Sequence, residues 1–442
     1  MSLIIDAHTH IFGARDIPLK GYLLSRKPKN LWEKWRNQAL IPLVAKCIRR
    51  EVDQKKTLLS RLGCSIVMGT VYATMGKAYR GWAETLSKKV PAIVEEMLET
   101  YAGDKIDLFV PLMIDYEYWF ENTPDHLIKD QVQLIFEQVI LPNKGLIHPF
   151  VSYDPARELA REKGLINPDG DLETTSSLQL VKEAIEKKGF IGVKLYNSLG
   201  YKPLYNADVN EERRTICHHK DRYARLSGED YDRVLTQLYA YCVENDVPIT
   251  THCGMYGIES YPDASFVFGK AAFWRNVLSQ PRYQKLRLNL GHFGWYAPQG
   301  YRGHITWVED ICRMFQEDNF LFADISCHRV MEKKELEKFK ADYKNICQDF
   351  PIVKKRLLFG TDWHVNKRLD NFPSFKNNYI EILQQGGSFG DAEIQAFLGG
   401  NALDFLGMRP GGGNRRRLEK FYKDNGINPP AWFTATGSAP VS

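Results

Sequence analysis

The sequence predicts an α/β protein, a (β/α)8 TIM barrel with a large helical insertion after its first strand. Three observations carry this expectation. Eight short apolar runs punctuate the chain, helical periodicity fills most of the gaps, and many runs end in a polar or titratable residue. Strands alternating with helices imply a parallel sheet, and eight such units suggest closure into a barrel. A doubly wound open sheet also fits the alternation.

The runs fall at residues 3–8, 106–113, 145–151, 190–195, 247–252, 286–292, 320–325 and 356–362. Apolar residues at helical spacing precede the fourth run at 178–185 and the fifth at 231–243. The first gap is far longer than a crossover helix needs. Residues from about 15 to 105 are rich in Lys, Trp and Leu, with helical stretches such as 92–101, and read as an insertion near the barrel mouth. Residues 64–71 within it are ambiguous between helix and strand. A second, polar insertion at 197–230 carries His218 and His219, which read as exposed because adjacent positions face different ways. The barrel is expected over 1–407, with 408–442 as a peripheral C-terminal extension opening on Pro410-Gly411-Gly412-Gly413.

Composition narrows the functional class. Hydrophobic residues make up 44% and charged residues 26% of 442 positions, as in ordinary globular proteins. A net charge of +5 with no long basic face argues against nucleic acid as partner. Arg415-Arg416-Arg417 reads as a solvated tail. No apolar run approaches the ~20 residues that span a bilayer. The eight cysteines form no CxxC pair, and residues 3–10 already read as a strand rather than a leader, so a cytoplasmic chain with reduced thiols is expected. The expected partner is a small-molecule substrate, and a homo-oligomer is left open.

His8 and His10 are the sharpest local feature. Side chains at i and i+2 of a strand share a face, and two imidazoles there can grip one cation. Alone, such a pair is as readily structural. His252, His292 and Asp362 each close a separate run, and strand ends of a barrel converge on one rim. Three histidine-bearing strand ends and an aspartate together point to a metal site.

The segments Ile5-Asp6-Ala7-His8-Thr9-His10, Gly192-Val193-Lys194-Leu195-Tyr196, Thr251-His252-Cys253-Gly254, Gly291-His292-Phe293-Gly294 and Leu358-Phe359-Gly360-Thr361-Asp362-Trp363 occur in order. Together they resemble the metal-binding motifs of the amidohydrolase superfamily, in particular its amidohydrolase-related (amidohydrolase 2) branch. Gly399-Gly400-Asn401-Ala402-Leu403-Asp404-Phe405-Leu406-Gly407 resembles that branch's closing helix. The resemblance implies that His8, His10, His252 and Asp362 hold the metal, with His292 a second-metal ligand or proton-transfer group. Lys194 is either a carbamylated bridge between two ions or a lysine that pairs with an acid or binds substrate.

One or two divalent ions are expected, zinc first and manganese, iron or nickel as substitutes. Asp362 is the candidate general base, with a ligand or helix-capping role as the alternative, and His292 would orient water or steady the intermediate. The leading activity is hydrolysis of an amide, ester or lactone carbonyl. A non-oxidative decarboxylase shares the scaffold, and a non-catalytic binding barrel ranks last. Tyr196, Tyr201, Arg222, His328, Trp363 and His364 are candidates for the mouth; Arg222 could pair with a substrate carboxylate, although an isolated loop arginine is more often solvated.

Overall fold

Each of the eight apolar runs carries a strand. The computed structural model describes residues 3–21, 77–120, 123–166, 174–208, 226–255, 257–260, 263–294, 304–328, 330, 333–369 and 371–437. The strands are β1 (Ile5–Thr9), β2 (Leu108–Pro111), β3 (Phe150–Ser152), β4 (Gly192–Leu195), β5 (Ile249–His252), β6 (Leu288–Gly291), β7 (Leu321–Asp324) and β8 (Leu357–Leu358). Every residue in them is buried. Burial on both faces is what parallel strands require when helices cover them, and it explains continuous apolar runs in place of alternation.

All pairings are parallel: β1 with β2, and β3 through β8 in sequential order. Bridges Phe109↔Ile147 and Leu112↔Phe150 lead from β2 towards β3, and Thr9↔Trp363 joins β1 to the residues after β8. Beside that last bridge, Ala7 N–H donates to Phe359 O at 2.9 Å and Asp362 N–H to His8 O at 2.7 Å. The architecture is thus α/β on parallel strands.

Helices occupy the connections, and local chemistry starts them. α1 (Lys77–Leu86) and α2 (Val90–Thr100) lie between β1 and β2. α3 (Ile128–Ile135) follows β2, and α4 (Pro155–Glu162) follows β3 with Asp154 capping Ala156 N–H and Pro155 at its first turn. α5 (Ser177–Lys187) is capped by Ser176, and α6 (Gly228–Glu244) by a reciprocal Ser227/Asp230 box. The expected helix at 92–101 is α2, which buries Val90, Ile93, Val94 and Met97. Residues 22–76, with the ambiguous 64–71 run, lie outside the described residues, as do His218, His219 and Arg222. Among the described residues, no helix is long and apolar enough to cross a membrane.

The C-terminal segment is not peripheral. Leu418, Phe421, Tyr422, Trp432 and Phe433 belong to the same buried core as the strands. Trp432 Nε1–H donates to Gly145 O at 3.2 Å and Asn414 Nδ2 to Ile191 O at 2.5 Å, both just before strands. These residues therefore cover the N-terminal ends of β3 and β4. The Arg415–Arg417 run is correspondingly not a solvated tail. Arg415 is buried with its guanidinium 3.7 Å from the Phe433 ring centre, and Arg417 donates to the carbonyls of Asn245 and Asp246. Flanking apolar positions, not the charge run, decide where this helix goes.

Candidate metal centre

At the C-terminal strand ends the side chains turn polar. Asp6 ties the first and last strands together: its carboxylate accepts from Thr361 N at 3.0 Å and Thr361 Oγ1 at 2.7 Å, and burial pushes its pKa up to about 7. This brings His8 and His10 against Asp362. Two glycines make the room. A Cβ on Gly360 would lie 2.8 Å from His8 Cβ, and one on Gly291 would lie 3.2 Å from His8 Cε1.

His8, His10 and Asp362 offer ligand atoms within 4.8 Å of one another, all buried. His10 Nε2 lies 3.1 Å and His8 Nε2 3.7 Å from Asp362 Oδ1. The far nitrogens are engaged elsewhere: His8 Nδ1 lies 2.8 Å from Asp324 Oδ2 and His10 Nδ1 2.8 Å from Leu112 O. A carboxylate and a carbonyl accept, so both rings carry hydrogen at Nδ1 and turn Nε2 towards Asp362, with His10 Nε2 at hydrogen-bond distance, where a bound cation would take the place of its proton. His8 Nε2 is buried and, among the described residues, has no hydrogen-bond partner. A buried lone pair beside a second imidazole and a carboxylate oxygen is a donor set that suits a divalent cation.

The electrostatics agree. Burial, against the field of Asp324, pushes His8 down to about 4, so its imidazole is neutral at physiological pH, as ligation requires. Burial alone would raise Asp362, but the His10 hydrogen bond and the fields of His10, His8 and His292 hold it well below the usual carboxylate range.

A second group, His8, His292 and Asp324, also has ligand atoms within reach. It is a hydrogen-bond network. Ser326 Oγ lies among the three, bonded to Asp324 Oδ1, 3.0 Å from His8 Nδ1 and 2.9 Å from His292 Nδ1. Asp324 further accepts from His292 N at 3.1 Å, Ser326 N at 3.1 Å and Asn289 Nδ2 at 2.8 Å. Burial would raise its pKa, but His8 and these partners hold it well below the ordinary value. The loops that follow are strained: His292 (φ +68°), Phe293 (+46°), Cys327 (+60°) and Asp362 (+59°) all occupy left-handed backbone. Such non-glycine strain clusters where a site over-determines its geometry.

His292 and His252 are adjacent, with Nε2 of the former 3.2 Å from Nδ1 of the latter. His252 belongs to neither ligand group among the described residues. Its ring lies 4.8 Å from that of Tyr196. Lys194 is 1% exposed, and its Nζ has no hydrogen-bond partner among the described residues. Burial pushes it down to about 8 against the pull of Asp324 and Asp362.

Of the mouth candidates, all the described ones are buried. Tyr201 Oη accepts from Tyr196 N at 3.1 Å. His328 Nε2–H donates to His292 O at 2.8 Å, and its Nδ1 meets Tyr379 Oη, so it braces the site from behind. His364 Nε2–H donates to Phe12 O at 3.0 Å. Sequence reasoning overlooked Asp324 and Ser326. Asp324 ends β7 as His252 ends β5, so the strand-end rule applied evenly would have found it.

A family model described as Amidohydrolase matches residues 160–408. Comparison with curated proteins yields no significant match. Among solved structures, the chain is similar to an amidohydrolase from Burkholderia multivorans with bound zinc, at 11% identity and a TM-score of 0.45, covering 91% of this chain and 99% of that one. It is also similar to a probable 2-pyrone-4,6-dicarboxylic acid hydrolase from Acinetobacter baumannii with citric acid bound, at 11% identity, a TM-score of 0.40 and coverage of 71% and 88%. A third is IDCase from Metarhizium anisopliae in apo form, at 14% identity, a TM-score of 0.39 and coverage of 72% and 78%.

Proposed function

Since this chain belongs to the amidohydrolase family, we propose that it is a metal-dependent hydrolase that attacks an amide, ester or lactone carbonyl of a small molecule. The observation that carries the reading is the buried trio His8, His10 and Asp362, with His8 Nε2 lacking a hydrogen-bond partner among the described residues. The bridges Phe109↔Ile147 and Thr9↔Trp363 support closure of the eight strands into a barrel, which would put these residues on its catalytic rim. Buried free thiols at Cys242, Cys253, Cys312, Cys327 and Cys347 support a reducing, cytoplasmic setting.

His8, His10 and Asp362 would hold the ion, zinc first by donor type. Bound there, a divalent ion supplies a water of pKa about 7 and polarises the carbonyl. Asp362 is held ionised, so a proton reaching it is held weakly and passes readily to a leaving group. His292, its pKa lowered by burial, stands ready to orient the water as an acceptor. His252 and Tyr196 would form the adjoining wall against which the substrate lies.

The test is metal content by plasma mass spectrometry on protein purified without chelator, compared with the His8→Ala/His10→Ala double variant. A metal-bearing wild type and a metal-free variant are expected, and equal contents remove the premise. Lactones, esters and amides would then be screened by product analysis. A new carboxylate supports hydrolysis; release of CO2 would sink it in favour of a decarboxylase.

A further inference from the structure

We propose that Ser326 is a positioning residue whose single hydroxyl fixes the ring tautomer of both His8 and His292, so that His8 turns an Nε2 lone pair to the metal centre and His292 turns one to the neighbouring His252. The inference rests on the reading of His8, His10 and Asp362 as that centre, and it assigns a role to a residue outside the ligand set.

Ser326 is fully buried two residues beyond the end of β7. Its own N–H donates to Asp324 Oδ1 at 3.1 Å, a turn that folds the side chain back over the carboxylate. The hydroxyl has one proton, and its closest partner is Asp324 Oδ1, an acceptor. With the proton spent there, Oγ can only accept. The two atoms that approach it are His292 Nδ1 at 2.9 Å and His8 Nδ1 at 3.0 Å. Each must therefore carry hydrogen. Independent contacts agree: His8 Nδ1 also faces Asp324 Oδ2 at 2.8 Å, and His292 Nδ1 faces the Ser326 carbonyl at 3.1 Å. Neither of those oxygens can donate. Both imidazoles are thus pinned with Nδ1–H inward and Nε2 outward.

Two consequences follow. The basicity of the ligand nitrogen on His8 and the orientation of His292 depend on one hydroxyl. His292 also begins a reaction cycle as an acceptor, its Nε2 lone pair and not a proton lying 3.2 Å from His252 Nδ1.

The test is a long-range 1H–15N spectrum of the histidines in uniformly labelled, metal-free protein near neutral pH, assigned with His8→Gln and His292→Gln. Protonated Nδ1 and bare Nε2 signatures are expected for both residues. An Nε2–H signature at either overturns the proposal. In Ser326→Ala, mixed tautomers and a zinc affinity lower by about 10–100-fold are expected, the range found when ligand-orienting partners are lost; Ser326→Thr should restore both. Unchanged tautomers and affinity in Ser326→Ala overturn it as well. Should Ser326→Ala fail to fold, the wild-type spectrum decides alone. A protein that shows both Nδ1–H signatures yet takes up no zinc would keep the positioning role and reject the metal centre.

Discussion

His8 and Asp324 are 316 residues apart in sequence, and their side chains meet at 2.8 Å, ring Nδ1 against carboxylate Oδ2. The same carboxylate accepts from the backbone of His292 and Ser326 and from Asn289. Removing it leaves several buried donors without an acceptor, each costing about 1–3 kcal/mol, though not additively. Asp324→Ala should lower stability by about 3–5 kcal/mol, as breaking a buried charged network does. It should also loosen zinc, because His8 Nδ1–H then loses its carboxylate partner, and Ser326 Oγ, freed of Asp324, can donate as well as accept. Chemical denaturation and chelator competition check the two effects, and an unchanged midpoint would refute the account of Asp324 as the hub.

Backbone packing against His8 gives an independent handle. A Cβ at Gly360 would stand 2.8 Å from His8 Cβ and 3.3 Å from His8 N, so β1 must shift to admit it. Gly360→Ala should cost about 1–3 kcal/mol, the usual range for overpacking, and should weaken zinc retention. Gly103→Ala, where nothing lies within 4 Å of the added atom, is the matched control and should change neither. Equal zinc retention in the two variants would show that the position of β1 is not what places His8.

Much of this was legible in the sequence because parallel strands buried on both faces write themselves as apolar runs, and eight such runs became β1 to β8. His8, His10 and Asp362 could be read because each closes a run or follows one by two residues, and that periodicity is local. Asp324 ends β7 and so lies within reach of the same strand-end rule, whereas Ser326 stands out only through its contact with His8 across 318 positions, which no local pattern encodes. The C-terminal helix was misjudged for a related reason. Arg415 looks solvated by charge, yet its neighbours Leu418, Phe421 and Tyr422 carry an apolar stripe that docks on the core and takes the arginine with it.

One titratable contact near the mouth lies away from the candidate ligands. His126 Nδ1 lies 2.8 Å from Asp16 Oδ1 and joins the loop after β1 to the loop before α3. The Asp16 hydrogen bond raises its pKa above the ordinary value, with burial and Arg15 opposing and the charges of Asp16 and Asp125 assisting. A raised folded pKa means that protonation favours the folded state. The contribution is fully present below the unfolded histidine value of about 6.5 and is lost as pH rises through the folded value. Wild type should therefore exceed His126→Gln in thermal midpoint by more at about pH 5.5 than at about pH 8.5. A pH-independent gap would remove His126 from the linkage.

The number of ions follows from what already occupies the two ligand groups. The group around His8, His292 and Asp324 holds the Ser326 hydroxyl among its ligand atoms, so its nitrogens are committed to hydrogen bonds. The group of His8, His10 and Asp362 retains a buried nitrogen without a partner among the described residues. One ion per chain is therefore expected, with Lys194 left as an unmodified amine. An ammonium beside a dication is unfavourable, and burial already brings Lys194 down to about 8, so the neutral amine is within easy reach when metal binds. Metal stoichiometry and native mass spectrometry read both claims on one sample. One ion and an unmodified chain mass bear them out. Two ions with a mass increase matching added CO2 on Lys194 would show a carbamate bridge instead, and would mean that the Ser326 network opens when the second ion enters.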